Sequence, residues 1–141
     1  MTLLAAVRAG LAANLANLPV AQVSAYILAS PTLPVVWVRP APSAGFDYHH
    51  TMRNGLEVWT MLVQAYVGTT TDIGAQKKLD ELLATSGGSS VKTAIESDKT
   101  LGGAALDLIV ERCSGYQEYG RPDGSSVLGA EWTVQVQING S

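Results

Sequence analysis

A chain of 141 residues is the size of one domain and can bury roughly two-thirds of the surface that its unfolded form exposes. Its net charge of −3, nine Lys and Arg against twelve Asp and Glu with no basic run, excludes the phosphate-binding footprint of a tight nucleic-acid binder. Apolar residues make up 47% and charged residues only 15%, against about a quarter charged in ordinary soluble domains, so surplus apolar surface is expected to enter subunit interfaces.

Met1 to Leu18 is rich in alanine, and Leu3, Val7, Leu11, Leu15 and Leu18 recur at nearly the helical period, which predicts an amphipathic helix with a leucine stripe. Its single positive charge, Arg8, sits inside the apolar part and no small-residue cleavage site follows, so the segment reads as a helix rather than a signal peptide. Gly10 weakens the helix by up to about 1 kcal/mol relative to alanine, and Pro19 ends it. Asn14 and Asn17 lie off the stripe and are expected on the solvated face. No stretch reaches the roughly 18 uninterrupted apolar residues of a membrane span.

Val20 to Leu28 and Pro34 to Val38 mix β-branched with small residues between prolines, as short or edge strands do. Arg39 to Asn54 holds two prolines, a glycine and both histidines with few apolar residues, which predicts a long loop. Glu57 to Val67 reads as a long strand, with Trp59, Met61, Val63, Ala65 and Val67 on one face and Val58, Thr60, Leu62, Gln64 and Tyr66 on the other. Both faces are largely apolar and each needs a cover, either the protein's own helices or another subunit.

Thr71 or Asp72 is placed to cap a helix whose inner face is Ala75, Leu79, Leu82 and Leu83, with Lys77, Lys78, Asp80 and Glu81 outward. Ser90 caps a second, shorter helix with Val91, Ala94 and Ile95 inward, and Gly102-Gly103 supply backbone freedom in the turn that follows. Leu106 to Ser114 reads as an apolar strand, inside which the lone Cys113 is expected to be a buried structural thiol in a reducing, cytosolic setting. Gly115 to Ser126, with Arg121-Pro122-Asp123-Gly124 as turn chemistry, forms the tip of a hairpin. In the last strand, Ala130 to Ile138, Trp132, Val134, Val136 and Ile138 alternate with Glu131, Thr133, Gln135 and Gln137, which predicts one buried and one polar face.

Chemistry-bearing constellations are weak. Asp47 with His49 and His50 lacks a fourth metal ligand, and adjacent histidines point apart. No Gly-x-Ser-x-Gly elbow is present, and Gly87-Gly88-Ser89-Ser90 lacks the lysine and spacing of a phosphate loop. Trp37, Trp59 and Trp132 fall in strand patterns, as core residues rather than base-stacking platforms. No catalytic, cofactor or metal site is predicted.

The order Asp72, Ala75-Gln76, Leu79-Asp80, Ser90-Val91, Asp98 and Thr100-Leu101-Gly102-Gly103, followed by a strand through Val110, resembles the tail terminator (tail completion) proteins of long-tailed bacteriophages. The loop before Gly55-Leu56-Glu57-Val58-Trp59 and the strand after it are also similar, so the resemblance runs from about Pro34 onward and leaves the first 30 or so residues without a motif. It implies a single α+β domain over residues 1–141, a mostly antiparallel sheet covered by two or three helices, acting as a ring-forming subunit. It further implies a structural virion protein, made in the host cytoplasm, that caps the head-proximal end of the tail tube as a hexameric ring. Its partners would be itself, the tail tube protein and the head-tail connector protein. DNA would pass through without specific binding, with no membrane, no cofactor and no enzymatic activity. In that family long loops reach neighbouring subunits, a role carried to Tyr48, His49 and Arg53 in the first loop and to Tyr119, Arg121 and Asp123 around the second. The alternatives are another neck or minor tail component, or a small bacterial enzyme or ligand-binding domain.

Overall fold

The computed structural model describes residues 3–28, 32–41, 46–47, 56–68, 73–120 and 126–139. Along the chain these form α1 (Leu3–Leu15), β1 (Gln22–Ser24), β2 (Val35–Pro40), β3 (Phe46–Asp47), β4 (Leu56–Gly68), α2 (Ile73–Leu82), α3 (Val91–Ile95), a 3-10 turn (Leu101–Gly103), β5 (Asp107–Gly120) and β6 (Ser126–Asn139). The protein is α+β, and its strands make one mixed sheet in the order β1-β2-β4-β6-β5, with β3 also paired to β4. β1 runs parallel to β2, whereas β2–β4, β3–β4, β4–β6 and β5–β6 pair antiparallel. β2 and β3 share one side of β4: β2 pairs with Met61 to Tyr66 and β3 with Val58 and Trp59.

Period-2 alternation decides which side of the sheet is buried. Trp59, Met61, Val63, Ala65 and Val67 of β4 join Val36 and Val38 of β2, and Leu128, Ala130, Trp132, Val134, Val136 and Ile138 of β6, in one core. Helices close that core from a single side. Val7, Leu11 and Leu15 of α1, Ala75, Leu79 and Leu82 of α2, and Val91 and Ile95 of α3 are its other half. α1 lies against β1, β2, α3 and the 3-10 turn, while α2 lies against β4 and β6. The leucine stripe therefore points where its spacing predicts, except that Leu3 is exposed and Leu18 packs into the core from beyond the helix end.

The connection from α2 to β5 is held by side-chain hydrogen bonds. Ser90 Oγ donates to Ala84 O at 2.6 Å and accepts from Thr93 N at 3.1 Å, so one hydroxyl closes the link after α2 and caps α3. Asp98 then accepts from Thr100 N, Thr100 Oγ1 and Gly102 N at 2.8–3.1 Å. Leu101 has φ 50° and is buried, and Gly102 and Gly103 follow at φ 69° and 102°, the left-handed region expected of them. The Thr71 or Asp72 cap of α2 lies outside the described residues.

Several expectations are corrected. Arg39 and Pro40 belong to β2, still in register with Leu62 and Met61, so the predicted loop starts later than Arg39. The two strands expected to be short or at an edge are so: β1 has 3 residues and lies at the edge, and β2, between β1 and β4, has 6. The hairpin strands are longer than predicted: β5 runs through Gly115 to Gly120 and β6 begins at Ser126. Two register shifts, Val110/Arg112 and Ser114/Gln117, each insert one extra residue in β5 and turn its alternation over. Cys113 lies between them and is exposed, not buried, because β5 is the last strand of the sheet. Asn14 is no solvated bystander: its Nδ2 donates to Ile95 O at 2.9 Å and Asp98 O at 3.0 Å, occupying carbonyls at the end of α3.

Candidate functional site

The side of the sheet that the helices leave free is formed by alternate residues of four strands: Trp37 and Arg39 of β2, Leu62, Gln64 and Tyr66 of β4, Glu131, Thr133 and Gln135 of β6, and Ile109, Arg112, Ser114 and Tyr119 of β5. This is the polar face that the alternation of β6 predicts, and it crosses the whole width of the sheet.

At its centre is a hydrogen-bonded chain. Trp37 Nε1 donates to Gln64 Oε1 at 2.7 Å, and Gln64 Nε2 donates to Glu131 Oε2 at 2.8 Å. Tyr119 OH donates to Gly115 O at 2.6 Å and stands 3.5 Å from Glu131 Oε1. The Tyr66 ring lies between Trp37 and Tyr119, edge-on to both with centroids 5.3 Å apart in each case. Register explains the convergence, since Trp37, Gln64 and Glu131 are direct cross-strand partners on neighbouring strands. Gly129, opposite Tyr66, leaves space for that ring: a Cβ at 129 would come within 2.6 Å of Tyr66 Cδ1 and of Ala65 O.

The electrostatics of the cluster favour protonated tyrosines. Loss of solvation and then the Glu131 charge push the Tyr119 phenol up to about 12. Burial and Glu131 also raise Tyr66, against the opposing pull of Arg39. Both phenols therefore stay protonated at neutral pH, and that of Tyr119 donates to Gly115 O. Arg39 differs from its neighbours. Its Nε is buried without a hydrogen-bond partner, the one such side-chain atom among the described residues.

Of the predicted interface residues, only Tyr119 is among those described. It stands in β5, partly buried, with its hydroxyl turned inward to Gly115 O and Glu131. Tyr48, His49, Arg53, Arg121 and Asp123 lie outside the described residues, as does His50. Trp37, Trp59 and Trp132 are all buried, Trp37 on the helix-free side and the other two in the core. Among the described residues no three His, Cys, Asp or Glu side chains come together to hold a metal, and no helix is long and apolar enough to cross a membrane. An open cleft of about 170 Å³ between α1 and α3, lined by Asn14, Asn17, Ser90, Thr93 and Ser97 among others, falls below the roughly 300 Å³ at which small-molecule sites begin.

Glu131, Gln64 and Arg39 were not singled out by sequence reasoning. A glutamate on an alternating strand is the expected solvent-facing residue, and only the register across three strands shows it accepting from Gln64 on one side and standing 3.5 Å from the Tyr119 hydroxyl on the other. No protein-family model matches the chain, and no curated protein matches it.

Proposed function

We propose that this chain is a tail-terminator-like structural subunit: a ring that sits on the head-proximal end of a phage tail tube, stops tube growth and offers its other face to the head connector. The observation that carries this reading is that the residues resembling that family hold architectural positions. Leu79 faces the core, Ser90 caps α3, Asp98 accepts the turn's N–H groups, and Gly102-Gly103 take left-handed backbone before β5. The net charge of −3 suits a ring that DNA must slide through without sticking. The hexameric count and the tube and connector partners come from the resemblance; the mechanism is geometric and asks for no reacting group.

The test is a phage lacking this protein. Its tails should grow beyond normal length and fail to join heads, and imaging of wild-type particles should place a ring at the head-proximal tail end. Tails of normal length that still join heads without the protein would refute the reading.

A further inference from the structure

Charge is segregated along this chain. Residues 1–46 contain Arg8 and Arg39 and no acid, so the remaining seven basic residues face all twelve acids in residues 47–141. The fold turns that sequence asymmetry into a spatial one, because α1, β1 and β2 lie at one end of the sheet while β6 and β5 lie at the other. The β1/β2 end carries the two arginines, neither ion-paired among the described residues. Arg8 Nη1 donates to Ala25 O and Val38 O, at 2.9 and 3.2 Å, and its guanidinium lies 4.5 Å from the Tyr26 ring centroid. Within β5 and β6 stand Asp107, Glu111, Glu118 and Glu131 against the single Arg112, with the Lys92–Glu96 ion pair beside Val110 of β5.

Exposed apolar surface follows the same division. Tyr26 (52%) and Ile27 (51%) stand at the basic end, and Leu106 (53%), Ile109 (54%) and Tyr116 (47%) at the acidic end, five of the seven exposed large hydrophobic residues among those described. The acidic end is also a long strand edge. β5 has 14 residues and is paired on one side. Glu96 Oε2 accepts from Val110 N at 3.2 Å and covers one point of β5. The two bulges further blunt β5 against continuous ladder pairing, so contacts there fall to side chains.

We infer that the acidic β5 end of one copy docks on the basic β1/β2 end of the next, a head-to-tail contact between copies of this chain. Glu111 and Glu118 are set to meet the Arg39 guanidinium and Arg8, while Ile109 and Tyr116 pack near Tyr26 and Ile27. Opposite charge and apolar surface at the two ends make the contact heterologous, and repeated contacts of that kind close into a ring or run on as a filament. The inference deepens the ring reading and rests on it only for closure.

The experiment pairs the native Cys113 with Tyr26→Cys and treats concentrated protein with a short bis-maleimide, circular dichroism having checked the fold. Head-to-tail docking should give a ladder of linked species whose peptides join position 26 to position 113, and Cys113→Ser should abolish it. Ile27→Cys repeats the test should Tyr26→Cys fail to fold. Links joining only 113 to 113, or no links, would overturn the docking. On the position-26 cysteine background, Glu111→Lys with Glu118→Lys should lower the ladder at least tenfold, and so should Arg39→Glu. Mixing the two charge variants should restore a 26-to-113 dimer, and failure to restore it would overturn the charge pairing. Protein found at tail ends but linked only 113 to 113 would defeat this docking and leave the ring standing. Links from 26 to 113 in a protein absent from tails would do the reverse.

Discussion

Gly10 of α1 lies directly against Leu101 of the 3-10 turn: a Cβ at position 10 would come within 2.6 Å of Leu101 Cβ and 3.0 Å of Leu101 O. A glycine inside a helix is ordinarily a defect, and replacing it by alanine ordinarily gains up to about 1 kcal/mol. Here the opposing backbone cannot retreat, because Asp98 holds the turn through Thr100 and Gly102 and Leu101 is itself buried. Gly10→Ala should therefore destabilise the protein by about 1–2 kcal/mol, since overpacking typically costs about 1–3. Chemical denaturation of the two proteins checks the sign. A more stable variant would show that α1 and the turn are not in contact.

That reversal illustrates what was legible in the sequence and what was not. Features that depend on neighbours along the chain were readable: the Val7, Leu11 and Leu15 stripe, the Trp59 to Val67 face of β4, the Ser90 cap, and the left-handed Gly102-Gly103 pair. Features that depend on partners far along the chain were not. Asn14 bonds to carbonyls 81 and 84 residues away, and nothing in its own neighbourhood distinguishes it from Asn17. The β5 bulges escaped notice because one inserted residue leaves composition unchanged while turning every later side chain over. Cys113 is exposed for a different reason: the first bulge sets it opposite Trp132 of the core side, but strand order, a property of the whole sheet, makes β5 the outermost strand. Arg39 and Pro40 looked like the start of a loop, yet cross-strand pairing with Leu62 and Met61 keeps them in β2.

Asn14→Ala should cost about 1 kcal/mol, the usual net value of the hydrogen bonds lost, since water can reach at least the Asp98 carbonyl. Its effect should be local. Hydrogen exchange should quicken from Val91 to Leu101 while β4 and β6 keep their protection, and uniform quickening across the sheet would contradict the role assigned to this side chain.

Asp98 makes stability depend on acid. Hydrogen bonds from the Thr100 side chain, Gly102 N and Thr100 N hold its carboxyl below the ordinary value of 3.8. The unfolded chain thus takes up the proton first as pH falls, so this contribution is present above 3.8 and is lost as pH drops through the lower folded value. Asp98→Asn should flatten the pH dependence of unfolding in that range. Parallel acid-unfolding curves for the two proteins would show that the carboxylate is not coupled to the fold.

At the other end of the scale, Tyr119 couples the fold to alkali. Its phenol is held up to about 12, by loss of solvation first and by the Glu131 charge second, against an ordinary value of 10.0. As pH rises above 10 the unfolded chain ionises first, so stability falls with rising pH across that window, opposite in sign to the effect of Asp98. Glu131→Gln removes the charge but keeps a side chain able to bond with Gln64. The Tyr119 phenol should then titrate lower than in the wild type while remaining above 10, because burial persists. Ultraviolet titration of the phenols reads this directly, with Tyr119→Phe identifying the shifted component. If Glu131→Gln leaves that component unmoved, Glu131 and Tyr119 do not face each other across β5 and β6, and the cluster on the helix-free side of the sheet is wrongly assigned.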